Sequence, residues 1–245
     1  MEEKYELIGA ILGDGHVHTT ANRITLTGSL EDFYYSELYM NPLIKSLYSV
    51  NVYIRKSKYK NSFCLVFESK EVMKDLLSYG LKRGAKDNLK MLRLASNEQL
   101  IPFLCGLFDT DGSLKFSKQS KDYNYYPRIQ FAFKASDFSD QLGFLFERLG
   151  FNFGKWYCKR DNEYYYHISG ADNLEKWNKM IGFSNPVHKS KYLFWKKEGF
   201  CVPRSSLDDR LKALSLKMTT FSYNLVTNSP VEYFVSAECT ESSGQ

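Results

Sequence analysis

The chain has 245 residues, of which 43% are hydrophobic, 25% charged and 16% aromatic, values that exclude a disordered chain, a collagen-like chain and a coiled coil. A chain of this length buries roughly 70–75% of its unfolded surface, so a core needs neither disulfides nor a structural metal. The formal charge of +5 permits a polyanionic partner without requiring one.

The first element is MEEKYELIGAILGDG. Two acids precede its apolar run, and Gly13 and Asp14 break that run. It reads as a helix stopping at Gly13-Asp14-Gly15, and neither as a signal peptide nor as a membrane span. A strand follows at 23–27, where Ile24 and Leu26 oppose Arg23, Thr25 and Thr27. Then come a helical stretch at 31–49, a hairpin from NVYIRK to SFCLVFE, a short helix near 71–79 and a loop rich in Gly and Lys. The hairpin loop RKSKYK at 55–60 carries four cations and no acid.

The series then starts again. LCGLFDTDG at 104–112 coincides with LIGAILGDG at 7–15 in its first, third, eighth and ninth letters, at an offset of 97 residues. Strands follow at KFSK and RIQFAFK, with Ile129, Phe131 and Phe133 opposing Arg128, Gln130 and Lys134. A helix at 137–150, a hairpin from FGKWYCKR to YYYHIS, a helix near 172–181 and a second Gly- and Lys-rich loop complete the copy. The pattern predicts an α+β fold of two pseudo-symmetric α-β-β-α-β-β-α halves, residues 1–98 and 99–199, with antiparallel sheets wet on one face. Residues 200–245 read as a C-terminal extension that is partly disordered, since its end, SAECTESSGQ, is small and polar. The five cysteines are odd in number and lack a Cys-x-x-Cys spacing, which favours a soluble protein in a reduced, intracellular setting.

The repeated nonapeptide carries the chemistry. Glycine in a helix interior costs about 1 kcal/mol relative to alanine, so Gly9 and its counterpart Gly106 need a packing reason. Two helices with small residues at matching places can approach closely about a pseudo-two-fold axis, which sets Asp14 beside Asp111. Acids at helix C-termini oppose the dipole, and two side by side repel. A divalent cation relieves both effects, and carboxylate oxygens suit Mg²⁺. The same arrangement serves metal-assisted phosphoryl chemistry. The alternative, that each Asp caps a turn before glycine, accounts less well for two copies that each open a repeat.

On these residues the chain resembles the LAGLIDADG family of homing endonucleases, in its two-repeat, single-chain, monomeric form, over residues 1–199. Leu12 replaces the first Asp of the motif in copy one, whereas Asp109 keeps it in copy two. The resemblance implies that the motif helices form the central interface and that the sheets form a saddle over double-stranded DNA. It also implies that Asp14 and Asp111 bind the catalytic metal, with the carbonyls of Gly13 and Thr110 as further ligands. Mg²⁺ is the expected cofactor, Mn²⁺ or Ca²⁺ being able to substitute for binding. The implied activity is a staggered double-strand break in a long DNA target at an intron or intein insertion point. The chain neither begins with Cys or Ser nor ends in His-Asn, so a free-standing or intron-encoded enzyme is expected rather than an intact intein.

The family also sets basic or amide side chains near the metals. Counting from each Asp, and correcting for the longer first hairpin of copy two, aligns Lys86 with Lys189, Lys191 lying nearby. Such lysines could polarise the scissile phosphate or position water, or else contact the DNA backbone or solvent; both readings stand. The polar strand faces and basic hairpins nominate Arg23, Thr25, Thr27, Arg55, Lys56, Lys58 and Lys60 in the first half. In the second they nominate Lys115, Ser117, Arg128, Gln130, Lys134, Lys155, Lys159, Arg160, Tyr164 and Tyr166, for phosphate and base contacts. His16 and His18 have no zinc-like spacing to His167 or His188. The rival readings are a maturase bound to intron RNA or a DNA-binding regulator without cleavage. A carbohydrate-binding surface built on the 18 Tyr and 18 Phe lacks any repeat a sugar site would need.

Overall fold

The computed structural model describes residues 2–86 and 89–218. Its first half runs α1 (Glu3–Asp14), β1 (Gly15–Val17), β2 (Arg23–Ser29), a single turn α2 (Phe33–Tyr35), α3 (Asn41–Tyr48), β3 (Val52–Lys56), β4 (Ser62–Glu68) and α4 (Lys70–Ser78). A π-helical segment, Ser36–Met40, joins α2 to α3. The second half repeats the order as α5 (Asn97–Asp111), β5 (Gly112–Ser117), β6 (Tyr126–Lys134), α6 (Asp137–Arg148), β7 (Gly154–Cys158), β8 (Glu163–Ser169) and α7 (Ala171–Met180). Two further helices follow, α8 (Pro186–Glu198) and α9 (Leu207–Ala213).

Local chemistry sets the boundaries. The Ser69 hydroxyl accepts from the Val72 N–H to start α4, and Ser136 opens α6 with a capping box. The stretch after residue 181, expected to be a loop, instead forms α8. Asn185 caps it by accepting from the Val187 N–H, and Pro186 occupies its first turn. That Asn-Pro pair is a helix start legible in the sequence.

Each half contains one four-stranded antiparallel sheet, ordered β1-β2-β4-β3 and β5-β6-β8-β7. The register pairs His16 with Thr25, Thr25 with Val66 and Val66 with Tyr53 in the first sheet. In the second it pairs Ser113 with Gln130, Gln130 with His167 and His167 with Gly154. The expected alternation holds on β2 and β6: Ile24, Leu26, Ile129 and Phe131 are buried. Burial of each such side chain contributes roughly 1.5–3 kcal/mol. Phe108 ties the second half together, its ring meeting Phe131, Trp177, Phe183 and His188 at centroid distances of 4.7–5.6 Å.

The halves meet along α1 and α5. A Cβ added at Gly9 would lie 2.1 Å from the Phe103 carbonyl oxygen, and one at Gly106 would lie 1.9 Å from that of Glu6. Only glycine allows this backbone-to-backbone approach, which is the packing reason for both residues.

The C-terminal extension begins in ordered structure. Arg210 on α9 is buried, with its guanidinium donating to the Ser190 hydroxyl at 2.9 Å and to Glu31 Oε1 at 3.3 Å. A buried guanidinium needs such acceptors, and these fasten the extension to α8 and to the first half. The disorder expected farther along falls on residues 219–245, which lie outside the described residues. Among the described residues, no helix is long and apolar enough to cross a membrane.

Candidate active site and nucleic-acid face

Because α1 and α5 touch at their glycines, their C-terminal ends emerge together. A Cβ at Gly13 would stand 2.2 Å from the Thr110 hydroxyl and 3.2 Å from the Asp111 Cβ. Asp14 and Asp111 end the two helices, and both side chains retain an exposed edge. Protein atoms crowd them nonetheless. Burial and then the Asp111 charge push the Asp14 carboxyl up to about 7, partly offset by Lys86. Burial also raises Asp111, again opposed by Lys86. The like-charge repulsion expected from the sequence is present in the structure.

Lys86 reaches this pair from the loop after α4. Its ammonium donates to the Gly13 carbonyl, and burial holds its pKa below the ordinary lysine value against the pull of both acids. Lys189 goes elsewhere: its ammonium donates to Asn178 Oδ1 at 3.1 Å and lies 5.7 Å from the Tyr192 ring centroid. Burial lowers its pKa, and the acid pair does not oppose that shift. The alignment of the two lysines fails because the chain after α7 turns into α8 and carries Lys189 inward. The structure therefore gathers Asp14, Asp111, Gly13, Thr110 and Lys86, and leaves Lys189 out.

A third carboxylate stands near Asp14 that sequence reasoning missed. Asp32 accepts from the Ser29 hydroxyl at 2.7 Å and from the Asn185 amide at 2.9 Å. With Asp14, Thr27, Tyr35, Asp109 and Thr110 it lines a cavity of about 20 Å³, room for about one water. Nothing in the local sequence singles out Asp32, because Asn185 lies 153 residues away.

One buried cluster, Glu6, Cys105 and Asp109, has ligand atoms within 4.8 Å of one another. Asp109 Oδ2 accepts from the N–H groups of Ser184 and Asn185 at 2.6 and 2.9 Å, anchoring the start of α8. Burial pushes both carboxyls up, toward a protonated, electrically quiet pair. The exposed pair is the better match to a hard divalent cation: it offers two solvent-facing carboxylates with a main-chain carbonyl beside them.

The outward faces of the sheets carry the other nominated residues. In the first sheet Arg23, Thr25, Tyr53, Arg55, Cys64, Val66 and Glu68 line one open groove, and Arg23 is ion-paired with Glu68. Thr27 lies between this groove and Asp14. Lys58 and Lys60 are exposed in the hairpin loop, and the Lys56 ammonium sits 3.6 Å from the Phe33 ring centroid. In the second sheet Lys115 is exposed, and Ser117, Arg128 and Gln130 are half-buried on the polar face. Lys134 pairs with Glu163 at 3.0 Å and Arg160 with Asp161 at 2.9 Å, while Lys159 is exposed.

Four nominated residues belong to the opposite face, Lys56 among them, since it pairs with the buried Phe63. Tyr166 is fully buried, its hydroxyl donating to the carbonyls of Ser139 and Asp140 at 2.6 and 2.9 Å. Lys155 pairs with Asp140 at 2.5 Å and lies over Tyr164, its ammonium 4.4 Å from the ring centroid. The run Tyr164-Tyr165-Tyr166 conceals the alternation, and the buried Ile168 fixes it: even-numbered residues of β8 point inward. Tyr165 and His167 point outward instead. Trp156 stacks on Tyr165 at 4.9 Å with the planes 6° apart, and its ring lies 5.3 Å from His167.

Comparison with known proteins agrees with this geometry. Residues 98–182 match the model of the LAGLIDADG-like domain. The replication factor C small subunit of Methanocaldococcus jannaschii is 27% identical over 199 residues, covering 78% of this chain and 10% of that protein. The chain thus spans about a tenth of the length of that relative. Among solved structures, I-DmoI in complex with DNA and Mn superposes with a TM-score of 0.52 at 19% identity, covering 74% of this chain and 96% of that one. The meganuclease I-SmaMI bound to uncleavable DNA gives 0.55 at 13% identity, covering 80% and 89%. At these identities the likeness establishes a common fold.

Proposed function

We propose that the chain, whose residues 98–182 match the LAGLIDADG-like domain and which shares the fold of I-DmoI and I-SmaMI, is a two-repeat LAGLIDADG protein and a site-specific DNA endonuclease making a staggered double-strand break by metal-dependent hydrolysis. The observation that carries the reading is the pairing of Asp14 with Asp111 at the touching ends of α1 and α5. A DNA-binding regulator or an RNA maturase needs no such acidic pair, and it would be selected against beside a polyanion unless a cation joined it.

Asp14 and Asp111 would hold divalent cations, Mg²⁺ by the hardness of the donors, with the Gly13 and Thr110 carbonyls alongside. When bound, such a cation supplies an acidified water and neutralises charge on the phosphate. The protein's own part is positional. The glycine contacts fix the two acids relative to one another, so each can serve one strand. In hydrolysis a water oxygen bonds to phosphorus, the ester P–O bond breaks, and the departing sugar oxygen takes up a proton. Lys86 faces both acids and is placed to offer its ammonium to the phosphate once released from Gly13. Outward residues of the sheets hold the duplex, phosphates by Lys and Arg, base edges by the polar and aromatic face. Intron or intein homing and a monomeric state fit the two-in-one architecture and belong to this proposal. Incubating the protein with a randomised DNA library and Mg²⁺ tests it: two offset cuts at one recurring sequence support it, and salt-sensitive binding without cuts supports the regulator instead.

A further inference from the structure

The two sheets share one strand order, and the first strand of each begins immediately after its motif aspartate, so their registers can be compared position by position. One step before the pairing of Gly15 with Leu26, Asp14 is level with Thr27, which pairs with Cys64, which pairs with Arg55. One step before the pairing of Gly112 with Phe131, Asp111 is level with Ala132, which pairs with Tyr165, which pairs with Trp156. The rows nearest the two acids therefore present different chemistry at equivalent places: Thr27, Cys64 and Arg55 on one side, Ala132, Tyr165 and Trp156 on the other.

Farther from the acids the order reverses. In the first sheet the distal Arg23 is engaged by Glu68. In the second, Lys115 pairs across the strands with Arg128, which puts two cations together at the distal end. Level with the acid, the first half thus offers a cation and the second an aromatic pair, the next outward cation of β6, Lys134, being engaged by Glu163.

Arginine reads guanine through the O6 and N7 acceptors of the major groove, whereas apolar surface meets the 5-methyl group of thymine. Trp156 and Tyr165 are stacked nearly parallel on the open face and present continuous apolar surface; Trp156 retains 41% exposure on the outermost strand, β7. Resting on the DNA-cleaving function above, we propose that the target is asymmetric where the outermost strands meet it: Arg55 selects guanine in the first half-site, and the Trp156–Tyr165 stack selects thymine, through its methyl group, at the matching place in the second.

Selection of bound duplexes from a randomised library in Ca²⁺, with the intact protein, supplies the test. Wild type is expected to return a consensus with guanine and thymine at symmetry-related places. Arg55→Ala should flatten the guanine preference by at least five-fold and leave the thymine in place, and Trp156→Ala should do the converse. Replacing that thymine by deoxyuridine in the selected duplex removes only the methyl group and should weaken wild-type binding about three- to ten-fold, with little effect on Trp156→Ala. Trp156→Arg, which gives the second half the side-chain type of the first, should shift the preference there toward guanine. A consensus insensitive to Trp156→Ala and to deoxyuridine would overturn the inference while leaving the DNA-reading function intact. A selection with no consensus anywhere would sink that function and the inference together.

Discussion

The ammonium of Lys86 donates to the carbonyl of Gly13, the residue immediately before Asp14 and a main-chain oxygen beside the acid pair. Lys189, its counterpart by sequence spacing, is committed to Asn178 in the second half. Lys86→Met should therefore lower the cleavage rate about 100-fold, the scale of one lost electrostatic contact in the transition state. Lys189→Met should change the rate by less than about three-fold and act on thermal stability. Single-turnover cleavage beside a melting curve for each variant checks both; equal losses of rate would show that the lysines work as a pair.

The acid pair sets a pH dependence. Asp14 titrates near 7 in the protein without metal, against about 3.9 in an unfolded chain. A carboxyl raised on folding keeps its proton in the folded state while the unfolded chain has already ionised, so metal-free stability should fall as pH rises from about 4 to about 7 and level off above that. Its solvent-facing edge keeps the effect near 1 kcal/mol. Asp14→Asn should raise Tm by about 2–4 °C at pH 8 and leave it nearly unchanged at pH 4. Since a cation and a proton compete for the same carboxylate, half-saturating Mg²⁺ should also rise as pH drops from 8 to 6. Melting curves in a chelator at the two pH values decide the first point, and an unchanged difference between wild type and variant would refute it.

The glycine contacts admit no substitution. A Cβ at Gly9 or Gly106 would strike main-chain oxygen at about 2 Å, and backbone cannot yield as a flexible side chain can. Gly9→Ala and Gly106→Ala should each cost at least about 3 kcal/mol, or prevent soluble folding. Gly199, at the left-handed end of α8 with no heavy atom within 4 Å, provides the comparison: its replacement by alanine strains only its own backbone, by about 1 kcal/mol. Chemical denaturation of the three variants orders them, and similar losses at all three sites would contradict close helix contact.

Adjacent tyrosines on β8 should behave oppositely. Tyr166→Phe removes a buried hydroxyl with two acceptors and should cost about 1–2 kcal/mol of stability with DNA affinity unchanged. Tyr165→Ala should weaken DNA binding and alter stability less. Affinity measurements and melts on the same preparations separate these outcomes.

How much of this was legible in the sequence follows from range. The doubled nonapeptide, the two Gly positions and the α-β-β-α-β-β-α order rest on local pattern and regular spacing, and the structure has them. What failed depended on single-residue offsets or on distant partners. Three consecutive tyrosines offer no alternation, so Tyr164 and Tyr166 read as wet although β8 turns them inward, and Lys155 on β7 and Lys56 on β3 share that inward face by register. Lys189 failed because matched spacing from the motif does not survive the entry into α8. Asp32 was invisible because Asn185, which holds it near Asp14, comes from the other half of the chain. The exposed Trp156–Tyr165 stack was hidden by the same one-residue ambiguity.

The central claim, that Asp14 and Asp111 together make a two-strand metal-dependent cutter, is tested most directly by wild type, Asp14→Asn, Asp111→Asn and the double variant acting on a supercoiled plasmid carrying the selected target in Mg²⁺. Wild type is expected to give linear DNA with fixed, offset ends. Each single variant should lose linear product by at least 1000-fold while keeping affinity within a few-fold, and chelation of the metal should abolish cutting by wild type. Linear product formed at the wild-type rate by either Asp→Asn variant, or by wild type in the chelator, would contradict the account.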